Sequence, residues 1–169
     1  MGREIRRVPP NWNHPVDSRS GQLKPMFDET FEQASTEWKN EFAEYYTAIN
    51  GDYYQEDRKA DDGTPWEFWE WSGDPPNREY YRPWKDEEAT WYQVWETVSE
   101  GTPVSPPFET KEELIEYLVK EGDFWDQKRR EGGWDREAAT KFVGTGWAVS
   151  FMVNDGVITQ ARDKEHYNT

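Results

Sequence analysis

The chain has no cysteine, which removes disulfide frameworks and thiolate metal sites together. It has two histidines, His14 and His166, one in each terminal region. A zinc site would need more His or Cys than the chain has, and a nucleophilic triad would need a Ser beside one of these two terminal histidines. No Walker loop or dinucleotide fingerprint occurs. No apolar run approaches the roughly 20 residues that span a bilayer, and the first residues carry no apolar signal core. From these absences we expect a soluble, intracellular protein that is not an enzyme, with no catalytic residues, no cofactor, no metal site and no membrane contact. With 35 carboxylates in the chain, acidic pairs arise by chance, so pairs alone do not indicate acid–base chemistry or a cation site.

Aliphatic residues are also scarce. Four Ile, three Leu, ten Val and eight Phe stand among 169 residues, against a net charge of -15. That ratio lies on the disordered side of the compositional line. Eleven Trp and nine Tyr argue the other way, because disordered chains are poor in rings. We expect a folded chain with a core built mainly from aromatic side chains.

The charge is uneven. Residues 1–25 carry five basic and two acidic groups, residues 26–100 six basic and twenty acidic, and residues 101–169 nine basic and thirteen acidic. Nearly all the negative excess sits in the middle of the chain, where phosphate backbones and anionic membranes are repelled. Direct DNA binding is not expected.

Residues 1–25 hold Arg3, Arg6 and Arg7 among prolines, a composition that favours extended backbone. They read as a basic, Pro-rich arm. Either Ile5, Val8 and Trp12 pin it to the domain surface, or its arginines reach nucleic acid or an acidic partner.

Phe27, Phe31, Ala34, Trp38, Phe42, Tyr45 and Ile49 recur at spacings of three and four, which predicts one amphipathic helix over 27–50. Asp28 would cap it and Gly51 would stop it. Glu37, Glu41 and Glu44 lie off the apolar stripe with Glu29 and Glu32, as a solvated face or as carboxylates offered to a basic partner. Residues 51–89 are dense in Asp, Gly, Pro and rings. Thr64-Pro65 suits a helix start. Asp61, Asp62, Trp66, Trp69, Glu70 and Trp71 either staple this segment to the domain or form an exposed acidic and aromatic recognition surface. Together with Glu37, Glu41 and Glu44, they are the candidate partner-binding residues.

From Thr90 to Val98 the chain reads as a strand, with Trp91, Gln93, Trp95 and Thr97 on one face and Tyr92, Val94, Glu96 and Val98 on the other. Ser99 to Pro103 form a turn. Thr110 and Glu113 make a capping box for a helix that Gly122 closes. A loop follows from Asp123 to Gly133, and Asp135 caps a second helix ended by Gly144 and Gly146. Asn154-Asp155-Gly156 between apolar runs predicts a β-hairpin. Twelve of the seventeen Ile, Leu and Val residues lie at or after Val94. These elements predict an α+β fold: a small antiparallel sheet of about three strands, with two or three helices packed on it, beside an irregular aromatic and acidic N-terminal half. The expected divisions are a 1–25 arm, a 26–89 acidic region packed on the domain, a 90–162 core and a frayed 163–169 tail. A small-molecule pocket, if one exists, would lie under Trp91, Trp95 and Trp147.

The run from Trp91 to Pro106, WYQVWETVSEGTPVSP, with Phe108 and Glu112-Glu113-Leu114, resembles a family of small uncharacterised proteins encoded by bacteriophages and mobile elements. Gly2 to Pro10, with Trp12, His14 and Pro15, resembles the start of the phage members. The similarity extends through Ala138-Ala139 and Gly146-Trp147-Ala148. The resemblance implies a phage setting in the cytoplasm of an infected bacterial host and assigns no activity. With the charge distribution it leads to an expected role: an interaction protein that inhibits or modulates a host or defence protein, such as a nuclease or CRISPR component, through an acidic surface imitating DNA. The alternative is a virion or assembly accessory that binds other phage proteins through its aromatic segment.

Overall fold

A computed structural model describes residues 2–49, 58–98 and 100–168. In chain order its elements are β1 (Gly2–Val8), β2 (Phe27–Thr30), α1 (Phe31–Ile49), α2 (Phe68–Ser72), β3 (Tyr81–Arg82), β4 (Trp91–Glu96), β5 (Thr102–Pro103), α3 (Lys111–Glu121), α4 (Phe124–Arg129), α5 (Arg136–Thr145), β6 (Trp147–Val149), β7 (Phe151–Asn154) and β8 (Val157–Gln160). The fold is α+β. The chain divides into two compact units, Met1–Asp28 with Trp84–Thr169, and Glu29–Pro83.

The larger unit is organised on an antiparallel sheet with strand order β5-β4-β1-β6. The N-terminal stretch is therefore no arm. Gly2–Val8 is an interior strand, paired with β4 on one side and β6 on the other. Its arginines hid this in the sequence, since three guanidiniums in seven residues do not read as a buried strand. Tertiary partners resolve the conflict. Arg3 pairs with Asp123, Arg6 with Glu4 and the carbonyls of Met26 and Glu100, and Arg7 lies over the Tyr92 ring.

The period-two alternation of β4 decides the layering. Val94 and Tyr92 turn with Ile5 to a cluster of Leu114, Leu118, Trp134, Phe142 and Val143 supplied by α3, α5 and the loop between them. Trp91 and Trp95 turn with Val8 to the opposite cluster, formed with Met26, Trp84 and Ala89. The expected two faces of the strand are thus both used. Buried Gln93 donates to the Ser105 carbonyl at 2.8 Å and accepts from the Trp95 indole at 3.0 Å. That satisfies an amide which would otherwise be costly in the interior.

The capping box of Thr110 and Glu113 starts α3, and Gly122 ends it at φ 75°. Asp135 caps α5 through the Glu137 and Ala138 amides, and Gly146 closes it in the left-handed region. The expected loop after Gly122 contains a further helix, α4, capped by Asp123. At six residues it is too short to show helical periodicity. The expected hairpin is β7–β8, with Asp155 at φ 48° and Gly156 at φ 79° in its turn. Up to Asn168 the tail is structured rather than frayed. Lys164–Tyr167 form a 3₁₀ turn, His166 is buried, and the Tyr167 hydroxyl donates to the Ala161 carbonyl at 2.8 Å.

In the smaller unit α1 begins at Phe31, four residues later than the spacing predicted, because Phe27–Thr30 form β2, which pairs with β3. The cap is Thr30, not Asp28. Its hydroxyl accepts from the Gln33 amide at 3.2 Å while the Gln33 side chain accepts from the Thr30 amide at 3.0 Å. The expected stop at Gly51 lies outside the described residues. Ile49 is the only Ile, Leu or Val from residue 29 to 83, so the interior here is aromatic by necessity. Trp38, Phe42 and Tyr45 of α1 surround Phe68 of α2 at centroid distances of 5.0, 5.5 and 5.6 Å. Tilted and edge-on contacts of this kind add about 1 kcal/mol each to simple burial.

Candidate functional site

All nine candidate partner-binding residues belong to the 29–83 unit, and all are exposed. Glu37, Glu41 and Glu44 stand at i, i+4 and i+7 on α1, so they share one flank of the helix. Among the described residues Glu41 and Glu44 form no ion pair. Glu37 sits against Glu29, whose carboxyl is held above the usual range by its partial burial and by the neighbouring Glu37 charge. The Arg82 charge opposes that shift without cancelling it.

The loop before α2 supplies the rest. Asp62 accepts from the Thr64 amide at 2.9 Å, and this hydrogen bond depresses its pKa and fixes the turn carrying Asp61. The helix starts at Phe68, not after Thr64-Pro65. Glu67 precedes it, and the Glu70 carboxylate accepts from the Glu67 amide at 2.8 Å.

The rings of this segment divide between interior and surface. Phe68 is fully buried. Trp71 packs on Tyr45, with the Arg58 guanidinium 4.4 Å from its centroid. The Trp66 carbonyl accepts from the Tyr45 hydroxyl, which ties the loop to α1. Trp66 and Trp71 are little more than one-third exposed, and Trp69 is 49 % exposed. Stapling and display therefore occur in the same segment.

The larger unit holds a buried carboxylate pair that sequence reasoning placed in a loop. Asp123 accepts from the Trp125 and Asp126 amides at 2.8 and 2.9 Å. Asp126 accepts from the Asp123 amide at 2.9 Å and the Trp134 indole at 2.7 Å. Burial pushes the Asp123 carboxyl up, the Arg3 guanidinium pulls it back, and Asp126 pushes it further up. Every oxygen of this pair already serves a helix cap, an indole or an arginine, and this occupancy suits a structural role. The D-x-x-D spacing of a reciprocal cap was its one visible signal.

His14 is likewise engaged. Its Nδ1 accepts from the Trp12 indole at 3.1 Å and its Nε2 lies 2.7 Å from the Lys24 carbonyl. Burial lowers its pKa, with nearby Arg6 adding to the effect and the Lys24 contact opposing it. Among the described residues no cluster of three or more His, Asp or Glu is placed to hold a metal ion, and no helix is long and apolar enough to cross a membrane.

The chain matches no family model, and no curated protein or solved structure is significantly similar to it.

Trp91, Trp95 and Trp147, the expected lining of a small-molecule pocket, do not line the recesses of about 500 and 430 Å³ found among the described residues. Trp95 is fully buried and Trp147 is exposed. The larger unit instead has a recess of about 500 Å³ between Trp125, Trp134, Phe151 and Ile158, edged by Arg3 and Arg162.

Proposed function

We propose that this chain is a non-enzymatic interaction protein of a bacteriophage. It binds a host or defence protein whose groove is built for nucleic acid, and it does so with the acidic surface of residues 29–83. One observation carries the reading: that unit holds fourteen acidic and five basic side chains, with Glu37, Glu41 and Glu44 aligned along one flank of α1. On a helix these carboxylates are separated axially by about 6 and 4.5 Å. Duplex DNA presents a phosphate about every 3.4 Å along each strand. A basic groove that tracks phosphates meets a comparable row of anions here. The resemblance to phage-encoded proteins adds the setting, the cytoplasm of an infected bacterium.

The exposed Trp69, with Trp66 and Trp71 beside it in sequence, favours a second reading. In it the aromatic segment docks onto another phage protein during assembly, and charge only maintains solubility.

Capture from host lysate with tagged protein, at low and at raised salt, separates the two. A nucleic-acid-binding protein that is retained at low salt and lost at high salt is the expected result. Isothermal titration with that partner should then show weakened affinity for the variant E37K/E41K/E44K. Unchanged affinity would remove the α1 flank from the interface. A salt-resistant phage partner, or the protein in purified particles, would favour the aromatic reading.

A further inference from the structure

The recess of about 500 Å³ in the larger unit falls within the roughly 300–1,000 Å³ typical of small-molecule sites. Trp125 of α4, Trp134, and Phe151 and Ile158 of the β7–β8 hairpin give it mainly apolar walls. Both indole N–H groups are already committed. That of Trp125 donates to Glu96 at 3.0 Å, and that of Trp134 donates to Asp126 at 2.7 Å. Each ring is thereby held in one orientation and offers a ligand only carbon surface.

The charged groups of the recess are unequally engaged. Glu96 accepts from the Trp125 indole and the Thr102 hydroxyl, and Asp126 from the Trp134 indole and the Asp123 amide. Arg3 is ion-paired with Asp123, and Arg162 with Asp126 and Glu131. Arg129 differs. It is exposed, it lines the same recess, and among the described residues it forms no ion pair. Its guanidinium lies 6.0 Å from the centroid of the Trp125 ring, and the Lys128 ammonium lies 5.1 Å from the same ring. In a chain with net charge -15, the uncommitted charge at this apolar recess is positive.

We propose that the recess binds a small aromatic acid in its anionic form, with its rings against Trp125 and Ile158 and its acid group on Arg129. Chemistry selects this occupant. A free cation meets Arg3, Arg129 and Arg162 and finds both carboxylates already hydrogen-bonded. A nucleotide brings several phosphate charges against one uncommitted guanidinium, with Glu96 and Asp126 beside them. A sugar needs several open hydrogen-bonding groups, whereas the charged groups here, Arg129 apart, serve the protein itself. A flat ring system with one negative charge matches both the aromatic walls and the single free guanidinium. The site belongs to the larger unit and does not depend on the acidic surface of residues 29–83.

The test uses the full chain and two dyes of similar shape: anilinonaphthalene sulfonate, which is anionic, and phenylnaphthylamine, which is neutral. Titration with the sulfonate should saturate as a single site. Ile158→Gln, which removes an apolar wall, should weaken both dyes. Val157→Gln should weaken neither, because Val157 alternates with Ile158 and lies on the other face of the hairpin. Arg129→Gln should weaken the sulfonate about tenfold and leave the neutral dye unchanged. Arg130→Gln removes the same charge one residue further on, outside the recess lining, and should change the sulfonate far less. All four positions are exposed, so these variants keep the fold. Absence of saturable sulfonate binding overturns the proposal. So do equal effects of Ile158→Gln and Val157→Gln, equal effects of Arg129→Gln on the two dyes, or equal effects of the two arginine variants.

Discussion

Arg3 on β1 is ion-paired with Asp123, the N-cap of α4, across 120 residues of sequence. The Asp123 side chain is wholly buried and that of Arg3 is 11 % exposed. The pair links the start of the chain to the helical layer. The same guanidinium also donates to the Ser150 hydroxyl at 2.7 Å.

Removing only the cation should therefore be severe. Arg3→Met leaves a buried carboxylate without its counter-charge, and we expect a loss of about 3 kcal/mol in urea unfolding. Adding Asp123→Asn should recover much of it, because Asn still caps the Trp125 and Asp126 amides without a charge. A double variant no more stable than Arg3→Met would show that the pair is not the source of the loss.

Stability should also fall with acid through His14. Its folded pKa is lowered by burial from the ordinary 6.5, so the unfolded chain takes the proton first. The contribution is fully present above about pH 6.5 and is lost as pH falls towards the folded value. Asp123, with its raised pKa, acts in the opposite sense, since acidification relieves its buried charge. Thermal midpoints measured between about pH 7 and pH 5 should decline less steeply for His14→Gln than for the wild type. Parallel curves would clear His14 of the effect.

Gly133 is required by close approach. A Cβ built there lies 1.8 Å from the Val119 carbonyl oxygen, and the adjacent Trp134 amide donates to the Leu118 carbonyl at 2.8 Å. We expect Gly133→Ala to cost about 3 kcal/mol or more by displacing the loop from α3. Thr110→Ala, which only opens the capping box of α3, should cost about 1 kcal/mol. Chemical denaturation of the two variants side by side would reveal whether the ranking is reversed.

The acidic flank should be dispensable for folding. Glu37, Glu41 and Glu44 are exposed, and neutralising all three as Gln also relieves the Glu29–Glu37 contact. The stability of the triple variant should remain within about 0.5 kcal/mol of the wild type or exceed it. A marked loss would assign these carboxylates a role inside the unit.

Local chemistry was legible wherever a few neighbouring residues settle the structure. The box of Thr110 and Glu113, the Gly122 and Gly146 stops, the Asp155-Gly156 turn and the two faces of β4 depend on hydrogen bonds and periodicities only a few residues long. The candidate surface was legible for a similar reason. Charge density and helix spacing put Glu37, Glu41 and Glu44 on one flank, and the structure leaves that flank exposed.

What the sequence could not decide was how distant groups neutralise one another. Gly2–Val8 looked like an arm because its arginines are unfavourable in a sheet until Asp123, Ser150, the Met26 carbonyl and the Trp95 ring surround them. Asp123 and Asp126 looked like loop residues until Arg3 and Trp134 reached them. The sequence by itself determined the α+β class, the aromatic interior of residues 29–83 and the location of the negative charge. Only the tertiary structure decided which charges are buried and paired, and which rings and carboxylates remain exposed. That outcome depends on desolvation and partner geometry, which are properties of the assembled chain.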